Sequence, residues 1–404
     1  MRILVLDTIH GAREIGAACA SAGHTVDVVD IYRGTTPEAM QNALTCTYDL
    51  VTAPVHMDPD HPLLAGNNIP FLTHHEAVCR LLGENVPHPM IEITGSRGKT
   101  TTAHALAHIL GERGVLHTST GTYAYPEKSI LFRKSIAPAS VIPVVKCARQ
   151  IRGWLVIEES LGVTGAGELA IITSAEDYPF AAGKKNAMDA KLASGRTARC
   201  LLVAPGVRAE GRNVIHVEDM AGCNGQSCTI TWHGARHTIQ NPLFLLPPYR
   251  VPLMLAAASA VLFGINPGPL TLFEALPGRM AVSREKNVVI VDNANSGINK
   301  ETTLCAARYA RHLAQLQELT LVIGQVEGDG KVCEGFSPEQ IASAIEEVRP
   351  SRVIRVGRVP ESVKSSGAGQ ETADIICPTL EEGRKTALAL TPKGSIVLSV
   401  KTWR

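Results

Sequence analysis

Ile93-Thr94-Gly95-Ser96-Arg97-Gly98-Lys99-Thr100-Thr101-Thr102 is the stretch on which the reading of this chain turns. Met90-Ile91-Glu92-Ile93 leads into it and is short, apolar and β-prone; Ala103 to Leu110 follows it and favours helix. Strand, glycine-bearing turn with Lys-Thr, then helix is the layout of a phosphate-binding loop, where backbone N–H groups of the turn and of the helix N-terminus meet the phosphates. In that layout Lys99 reaches the terminal phosphates and the Thr100 hydroxyl holds Mg²⁺. The expected ligand is ATP or a similar nucleotide, cradled by Thr94, Gly95, Ser96, Arg97, Gly98, Lys99, Thr100 and Thr101. A glycine turn that only caps a helix is the competing reading, and it leaves the Lys-Thr pair unexplained.

Outward from the loop, strands alternate with helical patterns, which argues for parallel sheets. With 404 residues there is room for two or three domains. Residues 1–88 read as a small α/β unit, with strands over Arg2 to Asp7, His24 to Asp30 and Tyr48 to Ala53, and a helix over Ala12 to Ala22. Its first loop, Thr8-Ile9-His10-Gly11, lies at a strand C-terminal end, where such sheets bind ligands. The stretch Pro54 to Pro70, with four prolines, reads as a long loop. Residues 89–277 carry the phosphate loop, further strands at Trp154 to Ile157, Leu169 to Thr173 and Cys200 to Ala204, and a small antiparallel excursion within Val214 to Trp232. Val251 to Ile265, Ala-rich and bracketed by Pro248 and Pro267, reads as a buried core helix. Pro277-Gly278-Arg279 looks like a hinge, and residues 278–404 form a last α/β unit with strands at Val288 to Asp292, Leu319 to Ile323, Arg352 to Val356 and Ser395 to Val400.

Bulk properties narrow the function. A formal net charge of +1 gives no reason to expect nucleic acid or an anionic membrane as partner. No apolar stretch reaches membrane-spanning length, and the N-terminus reads as a strand rather than a signal peptide, so a cytoplasmic location is expected. Ten cysteines are scattered without a Cys-x-x-Cys pair, which argues against a zinc or iron–sulfur cluster and for reduced, mostly buried thiols, although Cys223 and Cys228 lie close together. His104 and His108, and His74-His75 before Glu76, read as ordinary helix residues.

Spacing sets the loop apart. Only Ser96 and Arg97 separate Gly95 from Gly98-Lys99, where the common loop has four residues. The variant Thr-Gly-x-x-Gly-Lys-Thr-Thr resembles that of the Mur ligases and folylpolyglutamate synthetases. The resemblance implies a three-domain α/β, Mur-ligase-like architecture: a P-loop central domain with Rossmann-like N- and C-terminal domains. It also implies transfer of the ATP γ-phosphate to a substrate carboxylate, followed by displacement of phosphate by a nucleophile. Trp154-Leu155-Val156-Ile157-Glu158-Glu159-Ser160, an apolar strand ending in acid beside a phosphate loop, suits a Mg²⁺ ligand; Glu158 matches the family's Glu, with Glu159 as nearby substitute. Lys191, in Asn186 to Lys191, matches a lysine that many Mur ligases carbamylate to bridge Mg²⁺; a plain surface lysine is the alternative. Arg279 matches the family's phosphate-contacting arginine, and Asp292 and Asn295 its nucleotide contacts after a strand. Lys99, Glu158, Lys191 and Arg279 are thus the implied catalytic set, and Thr100, Glu158 and Lys191 the implied metal set.

The pattern also departs from the family. Tyr178 stands where the family has a His that helps hold a second Mg²⁺, and Ser174 replaces an Asn. The Asn that touches adenine is missing around Tyr249 to Met254. The N-terminal run Ile3 to Gly11, with Thr94 to Thr102 and Ile157 to Tyr178, resembles the short family members of methanogenic archaea that close a carbocyclic ring on a nickel tetrapyrrole. On that resemblance nickel arrives within the substrate, and His10, Arg13, Arg33 and His56 are candidates, by loop position and charge, to meet its carboxylates; His10 is also the candidate base. An amide-forming Mur-type peptide ligase and an ATP-hydrolysing switch or delivery protein are the rival readings.

Overall fold

The computed structural model describes residues 1–32, 36–65, 69–295, 297–326, 336–357 and 375–402. The chain divides into two compact units, Met1–Phe273 and Glu274–Arg404.

The first unit begins with a four-stranded, all-parallel sheet in the order Thr25–Val29, Arg2–Leu6, Leu50–Ala53, Phe71–Thr73. Inner strand Arg2–Leu6 is apolar on both faces because both are covered. One face packs Leu4, Leu6, Val29, Val51 and Met57 together. The other packs Ile3, Val5 and Ile15 into a cluster that runs on through Val78 to Met90, Val144, Leu155 and Ile157 of the next sheet. That shared core makes one compact body of two sheets; each fully buried Leu, Ile or Val in it contributes about 1.5–3 kcal/mol relative to exposure.

The second sheet has eight strands in the order Val214–His216, Cys200–Val203, Leu169–Ile172, Met90–Thr94, Trp154–Glu158, Gly114–Thr118, Gly121–Tyr125, Ser129–Phe132. The first six run parallel, and a meander adds the last two antiparallel. The helix after the loop spans Lys99–Leu110 and packs against Pro247–Leu262, the Ala-rich helix, whose small side chains are buried.

Two expectations need correcting. The antiparallel excursion is not Val214 to Trp232: Val214–His216 joins the eight-stranded sheet in parallel, and Ala221–Asn224, Ser227–Trp232 and Ala235–Gln240 form a separate three-stranded meander. The short helix Val217–Met220 separates them, and its four residues are too few for a periodicity to register. The thiols are not all reduced. Cys223 and Cys228 stand opposite each other across the first hairpin of that meander and are joined in a disulfide.

The second unit is a six-stranded sheet in the order Ala281–Glu285, Val288–Asp292, Gly394–Lys401, Leu319–Gln325, Arg352–Val356, Ile375–Cys377. All pairs are parallel except the first, a hairpin. Its core gathers Ile290, Val322, Ile354, Ile396 and Leu398. Among the described residues no helix is long and apolar enough to cross a membrane.

Candidate nucleotide and metal site

Strand Met90–Thr94 lies between Trp154–Glu158 and Leu169–Ile172, so the loop leaving its carboxyl end is flanked by the ends of both neighbours. Gly95 and Gly98 make the turn possible. Both have positive φ, +142° and +84°, and a Cβ on Gly95 would fall 2.2 Å from Thr173 Oγ1. Helix Lys99–Leu110 begins on the loop lysine, earlier than the apolar pattern suggested, with Gly98 at its N-cap, no side-chain cap and no acid in its first turn. The N–H groups of that first turn are therefore left for an anion.

The residues around the loop hold its shape. Ser174 Oγ accepts the N–H groups of Ser96 and Arg97 at 3.0 and 3.1 Å, so the residue in place of the family's Asn is a loop clamp. Lys99 Nζ donates to Gly95 O at 2.8 Å and lies 3.8 Å from Glu158 Oε1.

Glu158, buried at its strand end, accepts Thr100 Oγ1 at 2.9 Å and the Ser119 N–H at 3.2 Å through Oε2. Thr100 Oγ1 is 3.5 Å from Ser119 Oγ. A carboxylate and two hydroxyls converging on one point are hard oxygen donors of the kind Mg²⁺ takes alongside phosphate and water. Ser119 was not anticipated from the sequence; the signal was Thr118-Ser119-Thr120 directly after strand Gly114–Thr118, itself too short and mixed to be read.

Glu159 does not serve as a substitute for Glu158. It points away from the loop and is fully buried beside Glu92, whose carboxylate accepts the Thr164 hydroxyl and the N–H groups of Gly165 and Gly167. Burial first, then the neighbouring Glu92, pushes Glu159 well above the usual carboxyl range. Glu158 and Glu159 thus face opposite sides, as successive residues at a strand end do.

Lys191 is carried by helix Ala187–Gly195, whose first turn is anchored by Asp177 accepting the Met188 N–H at 2.8 Å. The lysine is only 1% exposed. Its Nζ donates to Ser96 Oγ of the loop at 2.9 Å and lies 5.2 Å from the centre of the Tyr178 ring. Burial, and then the positive charge of Lys99, hold its ammonium down to about 8. An amine of that basicity is partly neutral near physiological pH, the form that reacts with CO₂. Tyr178 therefore packs on Lys191 where the family would place a metal-binding imidazole.

The second unit holds the remaining sequence candidates. Asp292 ends strand Val288–Asp292 and accepts the Ala294 N–H at 3.1 Å. Asn295 donates to Gly278 O at 2.7 Å, which ties it to the turn carrying Arg279. Gly278 is required there: its φ is +70°, and a Cβ would meet Ala294 O at 2.4 Å.

At the carboxyl end of the first sheet, Asp7, His10 and His56 come together. Asp7 is fully buried and adopts φ 76°; its carboxylate contacts His10 Nδ1 and accepts the Ile9 N–H at 3.0 Å, with His56 Nε2 3.9 Å away. Burial, then His10, pushes His56 down to about 4. Arg13 is exposed on the following helix, and Arg33 lies outside the described residues. His108 meets Pro269 O, and His104 stands near the Tyr123 ring.

Residues 93–144 match the family described as Mur ligase middle domain, and residues 282–402 match the one described as coenzyme F430 synthetase CfbE, C-terminal domain. The chain is thus similar to Mur ligases in the first stretch and to coenzyme F430 synthetases in the second. It is 29% identical to the coenzyme F(430) synthetase of Methanosarcina acetivorans, over 100% of this chain and 99% of that one. Among solved structures, MurF from Acinetobacter baumannii aligns with a TM-score of 0.58 at 16% identity, over 92% of this chain and 86% of that one. The bifunctional folylpolyglutamate synthase/dihydrofolate synthase of Yersinia pestis, complexed with AMPPNP and Mn ion, aligns at 0.53 and 14%, over 82% and 90%. The α/β Mur-ligase fold expected from the loop variant is the fold observed.

Proposed function

We propose that this protein is an ATP-dependent cyclo-ligase. It activates a propionate carboxylate of a nickel tetrapyrrole as an acyl phosphate and closes a carbocyclic ring by forming a carbon–carbon bond. The product on this reading is coenzyme F430, with ADP and phosphate. The observation that carries the nucleotide half is the convergence of Lys99, Thr100, Glu158, Ser119 and Lys191 on one phosphate loop. The similarity to coenzyme F(430) synthetase along the whole chain supports the tetrapyrrole half.

In the first step a substrate carboxylate oxygen attacks the γ-phosphorus and ADP leaves. In the second, a ring carbon attacks the acyl carbon, phosphate departs and the carbon loses its proton to a base. Lys99 and the first-turn N–H groups hold the phosphates and counter the charge on the transferred phosphoryl group. Mg²⁺, when bound, supplies further charge stabilisation; Thr100 and Glu158 would hold it, with a carbamate on Lys191 as a further oxygen donor. Arg279, by resemblance, adds a guanidinium that forks onto phosphate oxygens.

The test is an anaerobic incubation of the purified protein with MgATP and the nickel seco-acid, followed by absorbance and mass. Loss of one water from the tetrapyrrole, matched by ADP and phosphate and abolished in Lys99→Ala, is the expected result. An unchanged tetrapyrrole, with ADP released only when an amino acid or peptide is added, overturns ring closure and makes the protein an amide ligase.

A further inference from the structure

The end of the first sheet holds a group of side chains that the nucleotide chemistry does not use. Asp7, His10 and His56 each offer one ligand atom within 4.8 Å of the other two. The His10 and His56 rings lie 4.4 Å apart, edge to face, and Tyr32 stacks beside His56 at 6.0 Å.

Two features of this cluster ask for a ligand. Asp7 is a fully buried carboxylate whose ion-pair partners, among the described residues, are only these two imidazoles, with no Lys or Arg. A buried carboxylate needs fuller compensation than a contact with one imidazole and a more distant second one provides. Asp7 also holds a left-handed backbone, which places its carboxylate beside His10 in the same loop. Finally, His74 is fully buried and neither of its ring nitrogens has a hydrogen-bond partner. Asp7, His10 and His56 are among its electrostatic neighbours. A buried, doubly unsatisfied imidazole calls for an explanation, and an ion is one of the few that answers it.

We propose that Asp7, His10 and His56, backed by His74, form a site for a divalent transition-metal ion. Imidazole nitrogens with a single carboxylate suit zinc or nickel and disfavour Mg²⁺ and Ca²⁺, which take all-oxygen shells. His10 keeps about a third of its side chain exposed, so the site opens to solvent and leaves a coordination position for an anionic oxygen such as a carboxylate. Its placement agrees with the rule that parallel sheets bind ligands at their carboxyl ends. Lys185, in the segment leading into the Lys191 helix, donates to Val55 O, next to His56, so that segment packs against this end of the sheet. The metal site stands independently of the tetrapyrrole reading.

Full-length protein, free of any affinity tag and stripped with chelator, is titrated with Co²⁺ as a spectroscopic probe and then with Zn²⁺. One tightly held Co²⁺ per chain is expected, with visible ligand-field bands displaced by one equivalent of Zn²⁺. His10→Gln and His56→Gln should each weaken binding by more than the roughly 10–100-fold that a change outside the coordination shell costs. His10→Gln alters a part-exposed residue, so it folds even where a change at His74 would not; unchanged MgATP binding verifies this. Absence of a stoichiometric Co²⁺ spectrum, or an unchanged affinity in both variants, overturns the proposal.

Discussion

Two parallel sheets of the first unit end in sites of opposite chemistry. The central sheet ends in hydroxyls, a carboxylate, a glycine turn and two lysines, all drawn to one phosphate loop. The first sheet ends in one buried carboxylate and imidazoles. On the readings proposed above, one end takes phosphate and a hard cation and the other a nitrogen-favouring metal. The same architectural rule supplies both positions, and the side chains alone decide what each can do. If the two ends are separate sites, each can be disabled without touching the other.

The largest separation is expected from Lys99→Ala. Removing the ammonium from the phosphate loop should lower ATP-dependent turnover by about 10³-fold, the scale of losing a preorganised charge partner of the transition state. Co²⁺ binding at the His10 end should be unaltered. A variant that lost both would show the two ends to be one site.

Gly95→Ala comes next. The added Cβ meets Thr173 Oγ1 at 2.2 Å and φ +142° strains any side chain. A stability loss of about 1–3 kcal/mol in urea unfolding, with weakened nucleotide binding, is expected. Unchanged nucleotide affinity would mean that the loop geometry is not what holds the phosphates.

Lys191 offers a pH test. Its amine is depressed to about 8 in the fold, against 10.5 for a free side chain, so the unfolded chain binds more protons between those values. Stability should therefore rise with pH from about 8 to 10.5, by of the order of 3 kcal/mol from this group, while below pH 8 the full penalty remains. In CO₂-free buffer, Lys191→Met should remove that rise and melt higher at pH 7, while turnover falls. An identical pH profile in the variant would mean the lysine is not desolvated.

How far the sequence could be read follows the same division. The phosphate loop is contiguous from Thr94 to Thr102, and the family resemblance it carries, with the later stretches, implied the fold. Glu158 and Lys191 were within reach because each sits at a family spacing from a readable strand or helix. Ser119 was not, since its strand begins with glycine and spans five residues. At the first sheet, His10 and His56 stood out as candidate contacts of substrate carboxylates, yet Asp7 read as an ordinary strand end and His74 as an ordinary helix start. Those residues come from three separate places in the chain, and the parallel packing of strands Arg2–Leu6, Leu50–Ala53 and Phe71–Thr73 brings them together. The disulfide has the same origin: a hairpin register no spacing rule announces.

The finest test lies within one dipeptide. Glu158 and Glu159 are both buried acids at the same strand end, yet only Glu158 faces Thr100 and the loop. Glu158→Gln should impair Mg²⁺-dependent turnover severely, because the amide cannot supply the charge. Glu159→Gln should leave turnover within about twofold, since Glu159 faces away from the loop, burial and Glu92 favour its neutral form, and a neutral amide of the same shape replaces it. The linkage has a definite sign. A carboxyl whose folded value is raised binds its proton more tightly in the fold, so its contribution is complete below the ordinary value near 4.5 and is lost as pH climbs through the raised one. Glu159→Gln should therefore change little in acid and flatten the decline of stability on the alkaline side, read as melting temperature against pH. Equal losses of turnover in the two variants would erase the distinction between the faces and place Glu159 in the site after all.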